Sequence, residues 1–256
     1  MNFPAKGGYL FPRDFLGCLL PLKHLLMTAT GLFTYPGFSL LNHLDLEGTA
    51  NLVGLPDRQV LFVSNHQTYF ADVIALFHVF AAVKWGFGDS LRNPVYLLNP
   101  KVNAYYVAAE ETMRAGLLPR ILAYAGSVSI KRTWREAGHD VQRQVKLTDY
   151  ALIGKALESG WVVTFPQGTT TPYAKGRRGT CHVIKHYQPT VIPVVIDGFR
   201  ETFNKKGLRL RKLGARLSVR IKPPLTFDET DDANTMLHRI MVAIEQIPPE
   251  ECRQRV

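Results

Sequence analysis

The stretch QVLFVS (Gln59–Ser64), NHQTYFA (Asn65–Ala71) and DVIALFHVFAAV (Asp72–Val83) decides how this chain folds. A short apolar, partly β-branched run bounded by polar residues reads as a strand buried on both faces. The segment from Asp72 is apolar nearly all round, which marks a helix without a solvent side. A buried strand, a polar hinge and a buried helix in succession open a βα unit, and such units build parallel sheets covered on both faces.

Working outward, the same alternation continues. Strands are expected at Tyr105–Ala109, Ser127–Lys131, Trp161–Phe165, Val191–Ile196 and Arg216–Ile221. Helices are expected at Pro119–Ala125, Thr148–Glu158, Thr180–His186 and Asp231–Gln246, the last with acidic residues at its start. No repeat, low-complexity tract or long linker divides the chain. The fold class is therefore α/β, a largely parallel mixed sheet flanked by helices. With 256 residues, 46% of them hydrophobic, the chain suits one sizeable domain with a small attachment.

That attachment lies at the N-terminus. Phe15–Phe33 (FLGCLLPLKHLLMTATGLF) is apolar on average but interrupted by Pro21, Lys23 and His24. A spanning helix wants about 20 residues with few or no charges. A helix in the interfacial plane tolerates Lys23 at headgroup level, which is the favoured reading over a buried core helix or a true span. Lys6, Arg13 and Asp14 precede the apolar stretch, so it is not read as a cleaved secretory signal. The expected division is 1–46 as a membrane-docking segment and 47–256 as the catalytic domain.

A net charge of +10 calls for a polyanionic partner: nucleic acid, an anionic bilayer or a phosphorylated substrate. No zinc-finger spacing, RNA-binding signature or basic helix with interleaved aromatics accompanies it, so no nucleic-acid partner is expected. Cys18, Cys181 and Cys252 are far apart and odd in number, which gives neither a disulfide framework nor a zinc knuckle. His182 and His186 would share a helix face, but Val-Ile-Lys between them lacks the glutamate of a hydrolytic zinc motif. No metal is assigned.

Chemistry gathers where strands end, because ligands of open α/β sheets sit beyond the carboxyl ends of strands. His66 directly follows a buried strand, and Asp72 opens the next helix. Imidazole takes a proton near neutrality, and a carboxylate on its far nitrogen fixes the tautomer. Residues six apart on one helix are turned about 240° from each other. The pair therefore meets only if His66 stays in the loop and the helix starts near Ala71 or Asp72. The plainer alternative makes Asp72 a helix N-cap and His66 a loop histidine. Gly126–Arg132 (GSVSIKR) delivers Lys131 and Arg132 to a strand end, where a phosphate would suit them. Phe165–Thr171 (FPQGTTT) forms a tight turn rich in hydroxyl and amide donors, followed by Lys175, Arg177 and Arg178.

These motifs, in this order, resemble the glycerolipid acyltransferase family that includes the lysophosphatidic acid acyltransferases, over about Gln59–Ile247. In that family Asn-His, four residues and Asp form the catalytic dyad; the resemblance makes His66 the base and Asp72 its partner, in a variant HX5D spacing. Ala71 occupies the family's carboxylate position, Gln167 that of its glutamate and Thr170 that of its arginine. Val191–Val195 matches an apolar strand holding Ile-Pro-Val. The resemblance implies a membrane-associated transferase of phospholipid biosynthesis, like a 1-acylglycerol-3-phosphate O-acyltransferase. It would take acyl-CoA or acyl-carrier protein as co-substrate, a lyso-lipid as acceptor, and no cofactor. The residues that would contact substrate are Asn65, Gln67, Lys131, Arg132, Gln167, Gly168, Thr169 and Thr170. The expected location is the cytoplasmic face of a membrane, peripheral or interfacially embedded, against an anionic surface. The departures keep two alternatives in view: an acceptor other than a glycerophosphate, such as an amino-acid lipid, and a non-catalytic lipid-binding homologue.

Overall fold

The structure is a computed structural model that describes residues 12–131, 135–136, 139–140 and 147–248, with the backbone alone at 135–136, 139–140 and 147. Seven strands form one sheet: β1 (His43–Glu47), β2 (Val60–Ser64), β3 (Ala104–Ala109), β4 (Ser127–Ile130), β7 (Trp161–Thr164), β8 (Thr190–Asp197) and β9 (Arg216–Ile221). A small antiparallel pair, β5 (Arg135–Glu136) and β6 (His139–Asp140), stands apart from it. The sheet order is β1-β9-β8-β2-β7-β3-β4, parallel throughout except between β8 and β9. The α-helices among the described residues are α1 (Leu20–Ser39), α2 (Ala71–Lys84), α3 (Glu110–Arg114), α4 (Leu117–Tyr124), α5 (Leu147–Ser159), α6 (Gly179–Tyr187), α7 (Phe199–Thr202) and α8 (Ala233–Ala243).

The strand that opened the sequence reading is central, between β7 and β8. Its alternation sorts the core: Val60 and Phe62 join the layer beneath α2, whereas Leu61 and Val63 join the layer of α5, α6 and α8. Phe62 packs against Phe80 of α2 (centroids 4.4 Å apart) and Trp161 of β7 (5.3 Å). Because β2, β3, β4, β7 and β8 run in one direction, the segments after all five leave from the same edge. That geometry brings residues 65–70, 131, 165–171 and 198–200 together.

Two expectations change. The chain division at residue 46 cuts through β1, which pairs with β9 from His43–Arg216 to Glu47–Arg220, so the sheet begins before residue 47. The N-terminal apolar stretch forms α1, packed on α2, α4 and β1, and Lys23 does not reach outward. Lys23 is 0% exposed, 3.0 Å from Asn103 Oδ1, 3.5 Å from Asp14 Oδ2 and 3.8 Å from the Tyr105 ring. Burial lowers its pKa to about 8, against the opposing pull of Asp14. The leucines take the outside instead: Leu22, Leu25, Ala29, Leu32 and Phe33 form one exposed stripe, with Leu25 62% and Phe33 84% exposed. Leu117, Leu118 and Ile121 of neighbouring α4 are exposed too. Among the described residues, no helix is long and apolar enough to cross a membrane.

Candidate active site

The hinge after β2 works because its residues stay out of the helix. Phe70, the residue before α2, has φ −122° and ψ −38°, and α2 starts at Ala71. Asp72, in the first helical turn and wholly buried, points back at the loop. Its Oδ2 lies 2.9 Å from His66 Nδ1 and accepts from Gln67 N (2.6 Å) and Thr68 N (3.0 Å). Its Oδ1 accepts from Thr68 Oγ1 (2.7 Å). One carboxylate thus organises the whole loop. An ionised Asp72 holds the proton on Nδ1 and leaves a lone pair on Nε2. Phe165 stacks on the imidazole, with centroids 3.9 Å apart and planes 20° apart, so two neighbours fix the ring.

His66 opens onto a cleft of about 720 Å³ whose wall also includes Lys131, Gly168, Thr169 and Thr170. Its charged lining is Lys131, Lys175, Arg177, Arg178 and Lys205 against Asp149, a balance that favours anionic ligands. Val73 and Tyr106 line this cleft and also a second, apolar cavity of about 50 Å³ between α1 and α2. Met27, Gly31, Ile74, Phe77 and Leu97 line that cavity with His78. Burial pushes the pKa of His78 down to about 3, and its two nitrogens meet Tyr96 OH (2.9 Å) and Thr34 Oγ1 (3.0 Å). The ring is neutral there, so the cavity carries no charge.

Several residues expected to touch substrate are engaged elsewhere. Asn65 exchanges two hydrogen bonds with the backbone of Ile196, both 2.7 Å, and ties β2 to β8. Gln67 accepts from Phe199 N and Arg200 N and donates to Asp197, holding the start of α7. Gln167 is buried and donates to Ala174 O (2.9 Å) and Gln246 Oε1 (3.1 Å). The three side chains brace the loops, and none lines the cleft. A glutamate at 167 would face two acceptors, which gives a physical reason for the amide there. The Gly168 N–H already donates to Phe165 O (2.9 Å), so this amide of the turn is engaged within it. The Thr170 carbonyl is held by Arg200 Nη2 at 2.6 Å. Arg132 lies outside the described residues.

Sequence reasoning missed Thr68, whose hydroxyl binds Asp72, and the ring of Phe165. Thr68 carried a readable signal, since a threonine just before a helix commonly bonds to its first turn. No cluster of three or more metal-binding side chains occurs among the described residues. His182 instead packs edge-on against Tyr150, their centroids 6.1 Å apart.

The sequence profile of the Acyltransferase family matches residues 44–197, more than half of the chain, and the protein belongs to that family. Among solved structures the chain is similar to that of the 1-acyl-sn-glycerophosphate (LPA) acyltransferase PlsC from Thermotoga maritima. The two are 15% identical, with a TM-score of 0.52, over 88% of this chain and 79% of that one. At that identity the likeness speaks for the fold. No curated protein sequence matches the chain.

Proposed function

We propose that the protein transfers a fatty acyl group from an acyl thioester, of CoA or acyl-carrier protein, to the hydroxyl of a lyso-lipid, with His66 as general base. The observation that carries this reading is the His66–Asp72 contact of 2.9 Å at a cleft that abuts an apolar cavity. In the step proposed, His66 Nε2 takes the acceptor's proton as its oxygen attacks the thioester carbon. The C–O bond forms, the C–S bond breaks, and the imidazolium returns the proton to the departing thiolate. Asp72 steadies the imidazolium. The amides of Thr169 and Thr170, which donate to no group among the described residues, are the proposed oxyanion donors.

A phosphate-bearing acceptor, like lysophosphatidic acid, suits Lys131, Lys175 and Arg178 on the cleft wall. Thr170, in place of the family's arginine, is the feature that favours another acceptor such as an amino-acid lipid. The test supplies acyl-CoA or acyl-carrier protein with lysophosphatidic acid and lyso-amino-acid lipids, then separates the products. An acylated lipid supports the reading, and the acceptor consumed fastest names the substrate. Binding to vesicles with no product from any pair would favour the non-catalytic homologue.

The acyl chain is proposed to run from the cleft past Val73 and Tyr106 under α1. Val73→Phe should then close the passage: long-chain donors are expected to lose about tenfold or more in kcat/KM, as when one or two methylenes lose their place. Short-chain donors should keep theirs. Equal losses for all chain lengths would place the chain elsewhere.

The leucine stripe of α1 and the exposed face of α4 are proposed to dock on an anionic lipid leaflet. An apolar surface with the exposed Arg120 on α4, on a chain of net charge +10, fits that partner. Leu25→Glu with Phe33→Glu should abolish flotation with phosphatidylglycerol vesicles while leaving turnover of detergent-dispersed substrate within about twofold, since neither residue lines the cleft. Unchanged flotation would remove this face from docking.

A further inference from the structure

We infer that the turn Asn204–Leu208 is a positioning element for the His66–Asp72 pair, and that Gly207 is its essential residue. This rests on the reading of His66 as the base. The turn lies beyond the residues matched by the family profile, which end at 197. It binds the hinge through the backbone: Tyr69 N donates to Lys205 O (3.1 Å) and Phe70 N to Lys206 O (3.0 Å). Those two amides belong to the very residues that keep the hinge out of α2. Gly207 has φ +74°, and a Cβ there would fall 2.5 Å from Ala71 N, 2.7 Å from Thr68 Oγ1 and 3.0 Å from Ala71 Cβ. Thr68 Oγ1 is the donor to Asp72 Oδ1, so an added Cβ would strike the atom that holds the carboxylate.

The arrangement accounts for five residues between histidine and aspartate. The turn holds the amides of Tyr69 and Phe70 outside the helix, α2 starts at Ala71, and Asp72 takes the place nearest His66. Ala71 packs against Gly207, where a larger side chain would strike the turn. Asn204 holds the turn itself, its Oδ1 accepting from Leu208 N (3.0 Å) and Arg209 N (3.2 Å).

The test compares Gly207→Ala, Asn204→Ala and Gly214→Ala by kcat, KM and melting midpoint in the full chain. Gly214 has a similar φ of +66° with nothing within 4 Å of an added Cβ, so it reproduces the backbone strain without the contact. Gly207→Ala is expected to lower kcat by about 10²-fold, the scale of a misplacement near 1 Å, with KM for both substrates within about threefold. Asn204→Ala, which adds no bulk, should lower kcat by about tenfold if Gly207→Ala fails to fold. Gly214→Ala should lose stability but keep its kcat. Wild-type kcat in either turn variant would overturn the inference, as would an equal loss of kcat in Gly214→Ala. Full activity in His66→Ala would instead overturn the underlying reading.

Discussion

His66→Ala is expected to lower kcat for acyl transfer by about 10²–10⁴-fold, the range over which a positioned base acts. The ring is held between Asp72 and Phe165, so no neighbouring side chain takes its place. Folding should survive. The substitution removes one donor from a carboxylate that keeps three others and uncovers one face of Phe165, a loss of roughly 1–2 kcal/mol. Product formation by the purified variant, read beside its thermal melt, separates the two effects. Wild-type turnover would remove His66 from the chemistry.

Asp72→Asn has the next largest effect, and it acts on rate and stability together. The amide keeps one oxygen, which can still receive Nδ1, but it lacks the charge that opposes an imidazolium. We expect kcat to fall by about 10²-fold or more. The loop bonds also change: Gln67 N, Thr68 N and Thr68 Oγ1 all donate to a buried carboxylate, and charge-assisted bonds become neutral ones. A loss of about 1–3 kcal/mol follows, lowering the melting midpoint by roughly 2–4 °C per kcal/mol. A variant with native stability and native rate would show that the carboxylate serves neither purpose.

Much of the fold was legible because its signals are local. An unbroken apolar run such as Val60–Val63 has to be buried on both faces, and the helix of Ala71–Lys84 is apolar all round. The strand His43–Glu47 was missed for the converse reason. HLDLE alternates polar and apolar residues, two of the five exposed, and it becomes a strand through pairing with β9 far along the chain. The same limit hid the direction of Lys23. Composition places a lysine on an outer face, and only Asp14, Asn103 and Tyr105, brought together by the fold, turn it inward.

At the site, the sequence pointed to His66 and Asp72 because the hinge between a buried strand and a buried helix leaves few positions for polar groups. It read Asn65, Gln67 and Gln167 as substrate contacts, whereas their side chains bond to other segments of the chain. An amide side chain serves a ligand or a loop equally well, and the deciding partners, Ile196, Phe199 and Ala174, come from other segments. Gly207 gave no signal at all, since its importance lies in a close approach to Thr68 and Ala71 that no spacing rule encodes.

The central claim is that a neutral imidazole at position 66 removes the acceptor's proton, and chemical rescue tests it most directly. His66→Gly should leave a space between Asp72 and Phe165 and form almost no lipid product by itself. Added imidazole should restore product in proportion to its neutral form. Product forming at the wild-type rate without imidazole would contradict the account.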